Sequence, residues 1–489
     1  MNPWTEITEK YGIKNLRLKF PQTEKLLFKD VTFTFNKGEK ILIVGPSGSG
    51  KSTLLQVLSG LIPHSIQVPI KTDAANLPES RGIVFQDPDS QFCMPYVDEE
   101  IAFVLENLQI AREDMDQYIS SYLEKVGLRL ATSHQQIRWM SGGMKQRAAI
   151  ASVLALEPEV LFLDEPTALL DREGTQEVWN TIKSISRDRT VIAVEHKIDQ
   201  AIDFADRMIV MNEQGLLIAD GRPQDILTEY KGVLDEQGIW HPGVWKSYLE
   251  KKEKQESYPL LSEPPVLSVS NLNAVRGRTS IIQAEELCAY RGEWVTVTGK
   301  NGAGKSTLLH ALMGLVKSTG DIMVCGKKKT KTKSIANEVQ LVFQNPEHQF
   351  VTQSVQEEVA HTLRLHKWDS QKAENRVQEL LSRFHLTSKK NMHPYQLSMG
   401  QKRRLSLAAA LAAAPSVLLL DEPTFGQDAK NTFAILDHLE ELKRLGTAII
   451  MVTHDENIVK HLSTKTWHAA DGTIIEMDSF QDRGEVHHG

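Results

Sequence analysis

The stretch that decides the fold is GPSGSGKS, Gly45–Ser52, which follows the apolar run Ile41–Val44 and precedes the leucine-rich segment Thr53–Leu58. A strand, a glycine-rich turn and a helix in this order are what a phosphate-binding P-loop requires. The glycines let successive backbone N–H groups face one anion, and the helix points its positive end at the same place. The lysine of such a loop reaches the β and γ phosphates, and the serine hydroxyl holds Mg²⁺. The stretch therefore predicts a site for a nucleoside triphosphate.

A second copy of this pattern, GKNGAGKS, occupies Gly299–Ser306 after the apolar strand Trp294–Val297. Two copies in the same strand–turn–helix context exclude a chance turn. In the first copy, the residues predicted to hold the nucleotide are Gly45, Pro46, Ser47, Gly48, Ser49, Gly50, Lys51, Ser52 and Thr53. In the second copy they are Gly299, Lys300, Asn301, Gly302, Ala303, Gly304, Lys305, Ser306 and Thr307.

The two P-loops belong to a repeat that covers most of the chain. Four landmarks recur at nearly constant separation, namely Gly45 and Gly299, Gln86 and Gln344, Asp164 and Asp421, and His196 and His454. Such regular self-similarity indicates that one domain is repeated in the chain. We predict a first domain at residues 1–250, a charged and proline-marked linker at 251–265, and a second domain at 266–489.

Composition limits the function classes. The chain has 489 residues and a net charge of −7, which argues against a general nucleic-acid binder because such proteins carry a basic footprint. Its three cysteines are scattered without metal-site spacing, which suits a reducing cytoplasm. The N-terminal segment has no apolar core, so no signal peptide is expected. The longest apolar stretch, Leu405–Leu420, is cut by Pro415, which predicts a helix and a buried strand rather than a membrane span.

Several segments predict an α/β fold. The continuous apolar runs Val160–Leu163 and Thr190–Val194 are typical of parallel strands buried on both faces. Apolar residues between Met115 and Val126 recur at the spacing of one helix face and are expected in the core. Turns at Gly215 and Gly472 predict an antiparallel hairpin at the end of each half.

An acidic pair ends a buried strand in each half, Asp164-Glu165 in the first and Asp421-Glu422 in the second. Acidic pairs often only begin a loop, but here the pair occurs twice, each time after a P-loop and before Pro-Thr. The first carboxylate is expected to belong to the Mg²⁺ shell. The second is expected to orient or deprotonate the attacking water.

A serine turn opens a helix before each acidic pair: Ser141-Gly142-Gly143 in the first half and Ser398-Met399-Gly400-Gln401 in the second. The serine could act only as a helix cap. Alternatively, the capped and electropositive helix end binds the γ phosphate of an ATP held by the other half.

With these motifs in order, both halves resemble ATP-binding-cassette ATPases. The resemblance covers the P-loop, the glutamine loop, the signature turn, the acidic strand end, an aspartate loop (Asp171, Asp428) and a switch histidine. It implies two tandem domains, each with a parallel-sheet RecA-like core, an antiparallel β subdomain and a helical signature subdomain. It also implies ATP and Mg²⁺ as cofactors, and head-to-tail pairing of the two halves within one chain.

The resemblance assigns roles residue by residue. The implied catalytic residues are Glu165, His196, Gln86, Glu422, His454 and Gln344. The implied Mg²⁺ residues are Ser52, Gln86 and Asp164 in one site and Ser306, Gln344 and Asp421 in the other. In a head-to-tail pair, the first P-loop would face Ser398, Gly400 and Gln401, and the second would face Ser141, Gly142 and Gly143.

Two departures from the family pattern predict unequal sites. Met399 stands where the signature turn normally has glycine, and its side chain is expected to crowd the phosphate or to shift the backbone N–H that binds it. An aromatic residue that can stack on adenine is present in the first half as Phe20. The matching stretch Ala274–Arg276 of the second half has none, so we expect weaker ATP affinity at the second P-loop.

The glutamine loops continue as FQDPDSQF, residues 85–92, and FQNPEHQF, residues 343–350. This pattern is similar to the ATPases of energy-coupling-factor importers, in which the segment docks helices of a membrane coupling protein. The resemblance implies a membrane coupling (T) protein and a substrate-binding membrane (S) protein as partners, a vitamin as solute, and a place on the cytoplasmic face of the membrane. We expect the acidic helix starts Asp98–Glu100 and Glu357–Glu358 to receive basic side chains of the coupling protein.

Two alternatives remain open. A soluble tandem-cassette factor that acts on ribosomes or DNA would also have two cassettes, but such factors generally carry a long basic insert between them. A sugar importer with two fused cassettes would differ mainly in the glutamine-loop segment.

Overall fold

The computed structural model describes residues 10–21, 23, 25–252, 264–328, 335–336 and 338–477. Most of the predicted linker, residues 253–263, lies outside this described part. The chain forms two compact units. The first comprises Met1–Ser247 together with the short segment Gly426–Lys430, and the second comprises Tyr248–Phe425 together with Asn431–Gly489.

The first unit contains ten described strands, which are β1 (Lys10–Leu18), β2 (Phe28–Asn36), β3 (Lys40–Val44), β4 (Ile70–Lys71), β5 (Ala74–Asn76), β6 (Arg81–Val84), β7 (Val160–Asp164), β8 (Thr190–Val194), β9 (Arg207–Met211) and β10 (Leu217–Gly221). The helices that begin in it are α1 (Lys51–Leu58), α2 (Leu61–His64), α3 (Val97–Asn107), α4 (Arg112–Lys125), α5 (Gly142–Leu154), α6 (Arg172–Ile185), α7 (Pro223–Glu229), α8 (Lys231–Gln237) and α9 (Val244–Lys251).

Two sheets organise the first unit. A six-stranded sheet has the order β10-β9-β3-β8-β7-β6, in which β3, β6, β7, β8 and β9 pair in parallel and β9 and β10 form an antiparallel hairpin. A smaller antiparallel sheet is built on β1, which pairs with β2, β4 and β5. Every residue of β7 and β8 is buried, as their uninterrupted apolar sequences predict.

The second unit has ten described strands, which are β11 (Leu267–Arg276), β12 (Thr279–Ala289), β13 (Trp294–Gly299), β14 (Ser318–Val324), β15 (Lys327–Lys328), β16 (Val339–Val342), β17 (Val417–Asp421), β18 (Ala448–Val452), β19 (Lys465–Ala470) and β20 (Thr473–Met477). The remaining described helices are α10 (Lys305–Leu312), α11 (Val355–Leu365), α12 (Ser370–Arg383), α13 (Met399–Leu411), α14 (Ala429–Arg444) and α15 (Glu456–His461).

The second unit repeats the strand order of the first. Its core strands follow β20-β19-β13-β18-β17-β16, and the antiparallel strands β15-β14-β11-β12 join this sheet through β12 and β20, giving ten strands in all. The fold class predicted from the sequence is therefore confirmed in both halves. Parallel strands end together at one edge of a sheet, so β3, β7 and β8, and likewise β13, β17 and β18, bring their following loops to one place.

Local predictions are confirmed as well. The segment predicted to place one face in the core is α4, in which Met115, Ile119, Tyr122 and Leu123 are buried. The apolar stretch around Pro415 forms α13 and the fully buried β17. Searched over the described residues, the chain contains no helix with both the length and the apolar character needed to cross a bilayer.

Candidate nucleotide-binding and catalytic sites

Each P-loop lies between a central strand and the helix that follows it. Gly48 and Gly50 have φ angles of 83° and 96°, and Gly302 and Gly304 have 81° and 94°. These left-handed conformations favour glycine, because a Cβ atom there meets the backbone. They turn the chain sharply before α1 begins at Lys51 and α10 at Lys305. The two loops thus share these two glycine turns, but they differ at the first glycine, where Gly299 has a φ of 135° and Gly45 has no positive φ.

The P-loop lysines lie inside their loops. Lys51 Nζ donates to the carbonyl oxygens of Gly45 at 2.8 Å and Pro46 at 2.9 Å. Lys305 Nζ makes the same two bonds, to Gly299 at 2.8 Å and Lys300 at 2.9 Å. Burial lowers the pKa of Lys51, and nearby carboxylates oppose that shift. The ammonium groups are thus held at the loop that would cradle the phosphates.

The serine after each lysine meets the first aspartate of the acidic pair. Ser52 Oγ donates to Asp164 Oδ1 at 2.8 Å, and in the second unit the Ser306 side chain opposes the rise that burial causes in the pKa of Asp421. Burial raises the pKa of Asp164 to about 6, although the bond from Ser52 opposes the shift. A hydroxyl and a carboxylate are oxygen ligands of the kind Mg²⁺ prefers, so the residues present fit this cation.

Glu165 is held on both of its oxygens. His196 Nε2 lies 2.9 Å from Oε1, and Gln86 Nε2 donates to Oε2 at 3.0 Å. Burial alone would raise the pKa of Glu165, but the His196 imidazole and the Lys51 ammonium hold it below its usual value. A carboxylate that is ionised and fixed in direction suits a general base.

The second site has a looser version of this arrangement. His454 Nε2 lies 3.2 Å from Glu422 Oε1, and the His454 side chain is 27% exposed against 13% for His196. Gln344 is exposed, and among the described residues its side chain makes no hydrogen bond to Glu422. The first site therefore brings Glu165, His196 and Gln86 together, whereas in the described part of the second site His454, but not Gln344, contacts Glu422.

In both signature turns the serine caps the helix that follows. Ser141 Oγ accepts from Met144 N at 3.3 Å, and Ser398 Oγ accepts from Gln401 N at 3.4 Å. The φ and ψ angles are −65° and 161° at Ser141 and −64° and 160° at Ser398. The backbone angles of the cap residue are therefore the same in both turns, and the Met399 side chain is 53% exposed. The expected crowding of the phosphate by Met399, or the expected shift of the N–H that binds it, stays a prediction.

The remaining predicted residues are also placed. Gln401 Oε1 accepts from Ser398 N at 3.1 Å, which makes its side chain part of the cap. Phe20 follows β1, is half-buried and packs against the core cluster that contains Leu54 and Leu55 of α1. The matching Arg276 is the exposed last residue of β11. The expected difference in adenine stacking stays a prediction.

One prediction about the glutamine-loop segment is wrong in part. Glu100 and Glu358, expected to face a partner, are buried. Glu100 Oε2 accepts from the N–H groups of Cys93 and Met94, each at 2.8 Å, and Glu358 Oε2 accepts from Val351 and Thr352 at 3.0 and 2.9 Å. These carboxylates are turned inward because they satisfy the backbone donors of the turn before each helix.

The second glutamine of each FQ-x-P-x-x-QF segment also has a structural partner. Gln91 Oε1 accepts from Phe85 N at 3.1 Å, and Gln349 Nε2 donates to Ser406 O on α13 at 3.0 Å. Gln91 Nε2 also donates to Ala149 O on α5 at 3.4 Å, so each segment is held to the helix that begins at its signature turn, α5 or α13. Beside it in the first unit lies a groove of about 440 Å³, whose lining includes Phe92, Met94, Tyr96, Ile137 and Arg138.

The short segment Gly426–Lys430 contributes to the first unit at two points. Asp428 Oδ2 accepts from the P-loop N–H of Ser47 at 3.2 Å. The Trp240 indole donates to Gln427 O at 2.8 Å. The family resemblance implies a role for Asp428. No pattern in the sequence predicted that Trp240 would bind the neighbouring residue Gln427.

Two further residues near the acidic pairs were missed. Glu195 is buried beside His196, and Arg403 is buried with Nη1 donating to Phe343 O at 2.9 Å. The signal that could have found them is a mismatch between the repeats, because Thr453 stands at the position of Glu195 and Gln146 at that of Arg403.

Comparison with known proteins agrees with this geometry. The family model described as "ABC transporter" matches residues 28–168 and 282–425. A Bacillus subtilis protein named as an HMP/thiamine import ATP-binding protein, YkoD, is 37% identical, with 97% of this chain and 93% of that protein covered. A Methanosarcina mazei protein named as an ABC transporter ATP-binding protein is 32% identical, with 94% and 88% covered.

A solved structure shares the two-unit fold over most of the chain. It is the complex of the archaeal ribosomal stalk protein aP1 with the archaeal ribosome recycling factor aABCE1. The match has a TM-score of 0.62 at 19% identity and covers 95% of this chain and 90% of that one. At this identity the likeness concerns the fold alone.

Proposed function

Because the chain belongs to the ABC transporter family and is an ATPase, we propose that it is the energy-coupling subunit of a membrane importer of the energy-coupling-factor type. The proposed solute is hydroxymethylpyrimidine, thiamine or a similar vitamin. The observation that carries this proposal is the similarity over 97% of the chain to a protein named for HMP/thiamine import. The glutamine-loop segments, which resemble those of energy-coupling-factor ATPases, support it independently.

The catalytic step is assigned to Glu165 in the first site and to Glu422 in the second. Glu165, ionised and held between His196 and Gln86, accepts a proton from the water that attacks the γ phosphate. Lys51 supplies positive charge to the phosphates as negative charge builds on them. Mg²⁺ bound by Ser52 and Asp164 would neutralise phosphate charge. Ser306 and Asp421 would hold the ion in the second site.

The proposal includes head-to-tail use of the signature turns, so that Ser398 and Gly400 serve the first P-loop and Ser141 to Gly143 serve the second. The family resemblance supports this arrangement. One chain would then supply both ATP sites of the importer.

The groove beside the first glutamine loop is the proposed docking place of the membrane coupling protein. Phe92, Met94 and Ile137 offer apolar contact, and Trp139, whose ring lies 4.8 Å from the guanidinium of the lining residue Arg138, is 73% exposed. An exposed aromatic beside an apolar groove is typical of an interaction site. We therefore place the protein at the cytoplasmic face of the membrane, with a coupling protein and a solute-binding membrane protein as partners.

Purification from detergent-solubilised membranes tests the proposal, with the copurified proteins identified by mass. Trp139→Glu is expected to release the membrane partners and stop vitamin uptake while ATPase activity remains. Trp368→Glu, a matched change at another exposed tryptophan, should retain both. Ribosomes in place of small membrane proteins, or uptake of a sugar instead of a vitamin, would contradict the proposal.

A further inference from the structure

A buried carboxyl group stands next to the switch histidine in the first unit only. Glu195 directly follows β8 and is 2% exposed. Its Oε1 accepts a hydrogen bond of 2.7 Å from Thr167 Oγ1. Burying a carboxyl group is costly unless its oxygens find partners, so the position requires an explanation beyond packing.

The strand register explains what this bond joins. β7 and β8 are parallel neighbours in which Asp164 pairs with Val194, so Glu165 and Glu195 leave the sheet side by side. Thr167 lies two residues after Glu165, and His196 lies one residue after Glu195. The Glu195–Thr167 bond therefore ties the loop of the base to the loop of the switch histidine.

The second unit lacks this tie. Thr453 occupies the position of Glu195, and its Oγ1 accepts from Asp455 N at 3.1 Å, on its own loop. Here the histidine-to-glutamate distance is 3.2 Å, against 2.9 Å in the first unit. Thr167 is buried, whereas the matching Thr424 is half-buried. The shorter histidine-to-glutamate distance is therefore found in the unit that has the Glu195–Thr167 bond.

The charge state of Glu195 fits the same role. Burial, together with the facing carboxylate of Glu165, raises its pKa to about 8, although hydrogen bonds from Thr167 and the backbone of His196 oppose that shift. Near neutral pH the group is therefore protonated and does not repel Glu165. Above that range a second negative charge would face the base.

We propose that Glu195 is a positioning residue specific to the first ATP site, holding the loops of Glu165 and His196 at the separation that their contact requires, and that the second site works without one. The inference rests on the assigned roles of Glu165 and His196.

The test uses the full chain in a Glu422→Gln background, so that turnover reports the first site. Glu195→Thr installs the residue of the second repeat, and Glu195→Gln keeps the shape and an oxygen acceptor for Thr167. We expect the Thr variant to lower kcat about tenfold or more with little change in KM, because misplaced catalytic groups slow chemistry rather than binding. We expect the Gln variant to stay near the parent at pH 7.

The pH dependence of turnover distinguishes this positioning role from a purely structural one, which would leave that dependence unchanged. First-site turnover should fall above about pH 8 as Glu195 ionises, and Glu195→Gln should abolish that fall. The second site, measured in a Glu165→Gln background, carries Thr453 and should show no such fall.

The outcomes distinguish a failure of the base assigned to Glu165 from a failure of the positioning role of Glu195. Turnover that survives Glu165→Gln in the Glu422→Gln background would overturn the assigned base and the inference with it. Turnover lost there but unchanged in a folded Glu195→Thr variant would overturn the inference alone, as would a rise in KM with kcat unchanged. If Glu195→Thr does not fold, the Gln variant decides, and a retained fall above pH 8 overturns the inference.

Discussion

The two repeats share a backbone and a set of catalytic residues but differ in the charges buried behind them. The first has the carboxyl group of Glu195 where the second has Thr453, and the second has the guanidinium of Arg403 where the first has Gln146. Gln146 and Arg403 make the same contact, donating to the carbonyl oxygens of Phe85 and Phe343. The repeats thus differ in buried charge at both positions, but only at the second of them is the hydrogen bond kept.

Arg403 shows how such a difference acts on a site. Burial lowers its pKa to about 10, and the carboxylates of Asp421 and Glu422 oppose the shift. The group therefore remains a buried cation at neutral pH near the acidic pair. In the first unit that position holds a neutral amide, and the base is instead kept ionised by His196 and Lys51.

The largest expected effect comes from removing the two bases. Glu165→Gln and Glu422→Gln should each lower turnover at their own site by about 10²- to 10⁴-fold, as expected for the loss of a general base. ATP hydrolysis by the single variants then measures how much each site contributes. The double variant should bind ATP without turnover, and near-normal hydrolysis in it would remove both proposed bases.

The next effect concerns ATP affinity. Phe20→Ala should weaken binding at the first P-loop by about 1 to 3 kcal/mol, the value of one base stack, which is about five- to 150-fold in Kd. Arg276→Phe should strengthen binding at the second. Calorimetric titration of each variant with a non-hydrolysable ATP analogue checks both. If Phe20→Ala has no effect, stacking does not distinguish the sites.

A smaller effect should appear in the pH dependence of the second site. Arg403→Gln removes a buried cation near Asp421 and Glu422, so the acid limb of turnover should move upward by about one pH unit. The assay uses a Glu165→Gln background. Arg403→Lys keeps the charge and serves as the control, and equal profiles for the Gln and Lys variants would exclude an electrostatic role.

The smallest effect is expected at the signature turn. Met399→Gly should raise turnover at the first site, because it removes the side chain expected to crowd the phosphate, but by no more than about threefold, since that side chain is exposed and the cap residue already has the backbone angles of Ser141. The reciprocal Gly142→Met should be more harmful, since a Cβ atom at Gly142 would lie 3.0 Å from Leu170 Cδ2. Unchanged turnover in Met399→Gly would show that this side chain does not crowd the phosphate.

The sequence predicts the fold and the shared site well because both depend on strong local patterns. Uninterrupted apolar runs specify β7, β8, β17 and β18, and the P-loop glycines specify a backbone that few other residues adopt. The inward turn of Glu100 and Glu358 was not predictable, because an acidic residue in the first turn of a helix has the same pattern whether it faces solvent or caps a neighbouring turn.

The differences between the two repeats were likewise not predictable from the sequence. Glu195 reads as an ordinary polar residue after a strand, and its bond to Thr167 exists only because β7 and β8 are adjacent and in register. Likewise, the anchoring of Gln427 by Trp240 joins residues far apart in the chain. Contacts of this kind depend on tertiary placement, which periodicity and local motifs do not encode.

The most direct test of two unequal ATP sites is to compare Lys51→Ala with Lys305→Ala in ATP binding and turnover. Lys51→Ala should leave only the weaker second site, and Lys305→Ala only the tighter first site with its fall in turnover above about pH 8. The account predicts different affinities and different pH profiles for the two variants. Equal affinity, equal turnover and equal profiles would contradict it.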